Sequence, residues 1–336
     1  MAARRASAPI IEPPPKLLPK ERSVKFITSG SLMLDLPLGG GFALGRVINV
    51  VGDKSAGKTL LAIEACANFA REYGVESIRY CEAENAFDDD YAEVVGMPPG
   101  VGKAEDIRTV EAFVADLKQF LAGRDGSSPC LYVLDSLDSL SSDAEMDRKS
   151  GEASYGTEKA KALSTFFRKE IGLIEKAQCV LLIISQVRDN IGVTFGPAHK
   201  RSGGLALDFY CSQVVWLAVS SKLSRTVRGV ERVVGNKVIA KVKKNKVGPP
   251  FREAELHIIF SYGVDDEISM IEWLTKNKGT ALLPRSTDAL KKELVAARIA
   301  QDRPAVKQLN QILGNATIDH WTDIEDALAP PMRKYD

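Results

Sequence analysis

GDKSAGKT, residues 52–59, is the stretch on which the fold of this chain turns. Gly52 and Gly57 bracket it, and a backbone free of Cβ atoms at those points can wrap closely round a ligand. The N–H groups along Gly52, Asp53, Lys54, Ser55, Ala56, Gly57, Lys58, Thr59 and Leu60 then converge on phosphate oxygens. Lys58 reaches the outer phosphates, and the Thr59 hydroxyl is a ligand for Mg²⁺. By average residue usage the pattern arises by chance in about 1% of chains this long. Its context narrows it further. RVINVV (46–51) precedes it as a strand and LLAIEACANFA (60–70) follows as a helix, which places the phosphates at a helix N-terminus.

Outward from this loop, SIRYCE (77–82), CLYVLD (130–135) and CVLLIIS (179–185) read as fully buried strands. Between them, 58–73, 109–122 and 157–177 carry apolar residues at helical spacing. Strands alternating with helices predict an α/β fold, a mostly parallel central sheet flanked by helices. After about residue 205, SQVVWLAV (212–219), KVIAKVKK (237–244) and AELHIIF (254–260) read as antiparallel additions to that sheet. The expected organisation is a Pro-rich N-terminal arm over 1–22, a candidate for oligomerisation. A core over 23–274 and a small helical C-terminal domain over 275–336 follow, with helices at 286–299, 303–313 and 320–328. The arm holds Pro9, Pro13, Pro14, Pro15 and Pro19, which exclude a helix interior.

Composition removes several classes of function. The chain has 336 residues, 45% hydrophobic and 26% charged, an ordinary globular balance. No apolar run approaches the roughly 18 residues needed to span a bilayer, and no apolar core follows Arg4 and Arg5 as in a secretory signal. No two of the five cysteines (Cys66, Cys81, Cys130, Cys179, Cys211) have CxxC spacing, and His199, His257 and His320 lie far apart. A reduced cytoplasmic protein without a zinc site is expected. Taken alone, the net charge of +1 speaks against a nucleic-acid binder.

Further signals lie at strand ends. Asp135 closes LYVLD, where a second Mg²⁺-directed carboxylate belongs in a nucleotide-binding sheet. CEAENAFDDDYAE (81–93) has six acids and no base. Its Glu84 follows a buried strand at the same sheet edge and can deprotonate an attacking water, while Asp88 and Tyr91 can frame base and ribose. Gln186 ends another strand, where it can sense a γ-phosphate. After it, VRDNIGVTFGPAHKRSGG (187–204) is a long functional loop. Its Arg188, Lys200 and Arg201 suit phosphates, and Ile191 and Phe195 can wedge between bases or stack on them. Lys222–Lys246 holds nine Lys/Arg and one acid, densest in KVKKNK (241–246).

The order of these pieces resembles the RecA family of homologous-recombination ATPases over residues 23–274. The resemblance rests on ITSGSLMLDLPLGGGFALGRVINVVGDKSAGKT, CEAENAFDDDYA, LYVLDSLDSL, SQVRDNIGVTFG with the following GG and FY, and KVKKNKVGPPFREAEL. It implies a DNA-dependent ATPase using ATP and Mg²⁺, filamentous on single-stranded DNA, that pairs and exchanges strands with double-stranded DNA. It also implies self-assembly and accessory partners of single-strand-binding or mediator type, in the cytoplasm of a bacterium or of a phage-infected host. Position by position, Lys58 and Thr59 hold phosphate and metal, Asp135 supports the metal, Glu84 is the base and Gln186 couples the γ-phosphate to the second DNA loop. Lys244 and Lys246 act in trans on a neighbour's γ-phosphate. The first DNA loop falls around 147–156 with Tyr155 inserting between bases, Ile191 does the same in the second loop, and Arg168, Gly203 and Gly204 contact phosphates. A filament repeats such contacts at every protomer, so a near-neutral chain can still hold DNA while a lone protomer holds it weakly.

Four departures from the family pattern imply a divergent member: the Pro-rich arm in place of a long helix, Ser185 where Asn is frequent, Asp208 where a base is common, and a tail from 275 unlike the bacterial C-terminal domain. Two other classes share the nucleotide motifs, a helicase or translocase and a non-catalytic ATP-binding mediator. The second loop argues against the first, and Glu84 with Gln186 against the second.

Overall fold

The runs of apolar residues with no polar interruption become the central strands, because each alternate side chain finds an apolar layer on its own side of the sheet. The computed structural model describes residues 24–84, 88–147, 157–189, 199–201 and 204–330. A short pair, β1 (Phe26–Ile27) and β2 (Phe42–Ala43), flanks helix α1 (Leu32–Leu38). The core then runs β3 (Val47–Gly52), α2 (Lys58–Tyr73), β4 (Ile78–Glu82), α3 (Asp89–Val94), β5 (Gly102–Ala104), α4 (Val110–Leu121) and β6 (Cys130–Asp135). It continues with α5 (Asp143–Met146), α6 (Thr157–Lys176), β7 (Cys179–Asp189), β8 (His199–Arg201) and α7 (Gly204–Tyr210). The last part comprises β9 (Gln213–Val227), β10 (Val230–Asn245), β11 (Glu253–Ile259), β12 (Gly263–Val264), α8 (Asp266–Lys276), α9 (Thr287–Ile299) and α10 (Arg303–Leu328).

Ten strands form one sheet in the order β12-β11-β10-β9-β3-β7-β6-β4-β5, with β8 paired to the end of β7. From β9 through β3 to β5 neighbouring strands are parallel, and from β9 outward to β12 they are antiparallel. The expected α/β class with a mostly parallel central sheet therefore stands. One detail differs: β9 enters parallel to β3, and only its hairpin partner β10 begins the antiparallel part. The sequence of β9 is equally apolar either way, so its direction comes from the return of the chain through α7.

Alternation divides the core in two. Ile48 and Val50 of β3, with Leu182 and Ile184 of β7, pack on the face that carries α1, α2 and α8. Val47 and Val51, with Leu181 and Ile183, pack on the face that carries α4 and α6. Leu309, Leu313 and Ala316 of α10 join the first of these layers. Two helices, 303–313 and 320–328, were expected, and a single helix of 26 residues is found. Gly314 and Thr317, which suggest a break, are buried on its inner face, and a Cβ on Gly314 would meet Leu32 at ordinary van der Waals distance. Packing outweighs their poor helix propensity of under about 1 kcal/mol per residue. Among the described residues no helix is long and apolar enough to cross a membrane.

Candidate nucleotide site

Parallel strands bring their C-terminal ends to one edge, and the strand register assembles the site there. Gly52 at the end of β3 lies opposite Gln186 of β7, and Glu82 at the end of β4 lies opposite Asp135 of β6. The loop 52–59 leaves that edge and opens α2. Gly57 is the helix N-cap with φ of 86°, and no side chain caps the helix, which leaves the N–H groups of its first turn for an anion. The loop is supported from behind. A Cβ on Gly52 would stand 2.7 Å from the Leu217 carbonyl oxygen, which closes that position, and one on Gly57 would stand 2.3 Å from Ile258 Cδ1, which would have to shift, at a left-handed φ. Asn236 Nδ2 donates to the Ser55 carbonyl at 3.2 Å.

Thr59 and Asp135 meet: the Thr59 hydroxyl donates to Asp135 Oδ2 at 2.7 Å. The Tyr80 hydroxyl donates to the same oxygen at 2.9 Å. Burial raises the carboxyl of Asp135 above its ordinary range, and these two hydrogen bonds oppose that rise. Lys58 lies over the loop with Nζ donating to the Asp53 carbonyl at 2.8 Å. Burial lowers its ammonium, and the charges of Asp135, Glu84, Asp138 and Asp53 hold it up. A hydroxyl and a carboxylate 2.7 Å apart beside an ammonium are the donor set that Mg²⁺ and a phosphate chain require, so the residues fit that pair of ligands.

Glu84 and Gln186 also meet. Glu84 Oε1 accepts from Gln186 Nε2 at 2.9 Å and from the Ser136 hydroxyl at 2.6 Å. The backbone N–H of Gln186 donates to Asp138 Oδ2 at 2.7 Å. Below them, Asn49 Nδ2 donates to the Ser185 hydroxyl at 2.9 Å. Asp88 caps α3 by accepting from the Tyr91 N–H at 2.9 Å, and the Tyr91 ring is half exposed. Sequence reasoning missed Tyr80, Ser136, Asp138 and Asn236. Tyr80 belongs to a strand that reads as core, while Asp138 and Ser136 lie in the LDSLDS repeat of polar residues after β6 and were available from that signal.

Of the two segments expected to contact DNA, the structure describes the flanking residues. Tyr155, Ile191, Phe195 and Gly203 lie outside the described residues. β7 runs on to Asp189 and pairs antiparallel with β8, Val187 opposite Arg201 and Arg188 opposite Lys200. Arg188, Lys200 and Arg201 therefore stand at the base of one hairpin, and Gly204 opens α7 directly after it. Arg168 is exposed on α6. Lys244 and Lys246, at the end of β10, lie away from the loop 52–59. Both ammoniums donate to backbone carbonyls at the end of α7, Lys244 to Asp208 and Phe209 and Lys246 to Phe209 at 2.9 Å.

The basic stretch resolves into several surroundings. Lys237 and Lys241 are ion-paired with Glu272 and Glu253, and Lys222, Arg225, Arg228 and Arg232 lie exposed on the β9–β10 ribbon. Around Lys237 the fold brings together residues that are distant in sequence. His257 does have a carboxylate partner, Glu272, at 2.9 Å, with Glu255 close by. The pair forms between β11 and α8, which spacing in sequence does not reveal. The Lys237 ammonium, 2.6 Å from Glu272, already supplies that cluster with a cation.

Comparison with known proteins shows the family of the chain. The RecA N-terminal domain family matches residues 16–265. The chain is 34% identical over 267 residues to Protein RecA of Staphylococcus carnosus (strain TM300), covering 77% of this chain and 70% of that protein. It is 35% identical over 261 residues to Protein RecA of Borrelia turicatae (strain 91E135), with the same coverage of both. With Protein RecA of Gloeothece citriformis (strain PCC 7424) it shares 37% over 249 residues, 74% of this chain and 67% of that one.

Proposed function

This chain belongs to the RecA family, and from that premise we propose that it is an ATP-dependent recombinase. It forms a helical filament on single-stranded DNA, pairs the strand with a homologous duplex and exchanges strands, hydrolysing ATP between protomers. The observation that carries the reading is Gln186. Its side chain is bonded to Glu84 in the nucleotide site, and its strand runs straight on into the base of the second DNA loop. A contact at Gln186 thus adjoins the hairpin that begins at Val187, the next residue of β7. Neither a plain nucleotide hydrolase nor a passive ATP-binding scaffold needs that link.

Within this reading the loop N–H groups and Lys58 hold the phosphates, and Thr59 with Asp135 hold Mg²⁺, which neutralises phosphate charge when bound. Glu84, held by Ser136 and Gln186, orients the attacking water and takes its proton. Asp88 and Tyr91 lie near the nucleoside. Lys244 and Lys246 leave the carbonyls of α7 and complete the site of the next protomer. Tyr155, Ile191 and Phe195 space the bases, and Arg168, Arg188, Lys200, Arg201, Gly203 and Gly204 take DNA phosphates. Electron microscopy with single-stranded DNA and a non-hydrolysable ATP analogue tests this. Regular helical filaments that need both ligands are expected, and DNA-independent rings or scattered protomers would overturn it.

A further inference from the structure

Lys244 is the penultimate residue of β10 and Lys246 opens the turn after it, and that turn is closed by an arginine whose partner lies far away in the chain. The β10–β11 ladder ends at Lys241 opposite Glu253, followed by two backbone bonds, Val242 N–H to the Arg252 carbonyl at 2.9 Å and Phe251 N–H to the Val242 carbonyl at 2.7 Å. On that side of β10 residues 243–250 have left the ladder, while on its other side Lys244 and Asn245 stay paired with Val214 and Gln213 of β9 and the Lys246 N–H donates to the Ser212 carbonyl at 2.8 Å. At their end the Arg252 guanidinium joins the turn to α10. Its Nη1 donates to the Pro250 carbonyl of the turn at 3.2 Å. Its Nε donates to Glu325 Oε1 at 3.0 Å, and its Nη2 to Glu325 Oε2. This is a two-pronged ion pair between residues 73 apart in sequence, with the Glu325 side chain only 13% exposed. Such a planar fork fixes orientation as well as distance.

Glu325 is itself on a firm support. It belongs to the last turns of α10, which buries Leu309, Leu313, Ala316 and Trp321 and is tied to α8 where Asn310 Nδ2 donates to Glu267 Oε1 at 3.0 Å. The C-terminal helix therefore holds the lysine-bearing turn at the point where the turn rejoins the sheet. A cation that completes a neighbour's site must be placed to within about 0.5 Å, and the chain invests a largely buried carboxylate at the foot of the segment that carries two of them.

We propose that Glu325 is a positioning residue. Through Arg252 it sets the turn into which the end of β10 leads, and with it the placing of Lys244 and Lys246, so the C-terminal helix governs how well one protomer completes the nucleotide site of the next. The proposal rests on the in-trans reading of those lysines. Its test uses the full chain and compares Glu325→Gln, Arg252→Glu and the exchanged pair Arg252→Glu/Glu325→Arg. DNA-stimulated ATP turnover is read beside melting temperature and the nucleotide affinity of the DNA-free protomer. Each single variant is expected to lower DNA-stimulated turnover about tenfold with affinity unchanged, and the exchanged pair to recover to within about twofold. In a Lys244→Ala/Lys246→Ala background, Glu325→Gln is expected to cost nothing more. Undiminished turnover in Glu325→Gln would overturn the proposal. So would an exchanged pair that melts like the parent but stays slow, or an equal loss in the lysine-free background. If a single variant melts below the assay temperature, the exchanged pair carries the test. Full turnover in Lys244→Ala/Lys246→Ala would instead sink the in-trans reading itself, a separate and recognisable result.

Discussion

Glu64 lies on α2, the helix that the phosphate loop opens, and its replacement by Gln has a pH signature that can be worked out in advance. Glu64 Oε1 accepts from the Val264 N–H at 2.7 Å. Burial pushes its carboxyl from 4.5 up to about 7, Asp266 adds to the rise, and Arg71 with the Val264 bond opposes it. The native pKa is above the unfolded one, so between the two values the native state holds a proton that the unfolded state has released. Stability therefore falls as pH rises from about 4.5 to about 7, and the loss is complete above that window. At about 1.4 kcal/mol per pH unit, the rise corresponds to about 3 kcal/mol. Partial exposure of the side chain trims the expectation to about 2 kcal/mol. Glutamine keeps an oxygen for Val264 and carries no charge to bury. Urea unfolding followed by circular dichroism should show Glu64→Gln more stable than the parent by about 2 kcal/mol at pH 8 and indistinguishable from it at pH 4, with equal m values. Equal stability at both pH values, or a loss at pH 8, would refute the reasoning.

Glu84→Gln keeps an acceptor for Ser136 and Gln186 and removes the base, so steady-state ATP turnover should fall by about 10²–10⁴ while ATP-dependent DNA binding by fluorescence anisotropy persists; unchanged turnover would exclude Glu84 as the base. Lys58→Ala should abolish binding of a fluorescent ATP analogue or its turnover, and retention of both would contradict the assignment of the loop. Lys244→Ala with Lys246→Ala should weaken filament-dependent turnover and leave the affinity of an isolated protomer for nucleotide nearly intact, and a collapse of that affinity would place the lysines in cis. Gly57→Ala meets both a left-handed φ, about 1–2 kcal/mol, and Ile258 Cδ1 at 2.3 Å. Calorimetry should show a lowered melting temperature that Ile258→Val restores only in its steric part, and equal melting of the single and double variants would remove the contact as a cause.

The legible parts of this chain were those where one residue type serves one purpose. Cys130–Asp135 is buried throughout, so its apolar run marked its ends without error, and α2 from Lys58 to Tyr73 followed from the loop before it and its helical spacing. Where two effects compete, the sequence misled. Gly314 and Thr317 weaken a helix locally, but α10 continues because both are buried on its inner face. The nucleotide site was legible as a set of strand ends, since a parallel sheet brings such ends to one edge. Its supporting residues were not. Tyr80 is only 1% exposed, like a core residue, and yet its hydroxyl serves Asp135. His257 and Glu272 are joined only by the packing of α8 on β11, and Arg252 and Glu325 only by the return of α10 to the sheet. No periodicity records an encounter between distant elements.

The most direct measurement of the central claim is strand exchange between a circular single strand and a homologous linear duplex. With ATP and Mg²⁺ the protein should produce joint molecules and then nicked circular duplex, and Glu84→Gln should form joint molecules while arresting turnover. Unwinding of the duplex without exchange, or exchange indifferent to ATP, would contradict the account.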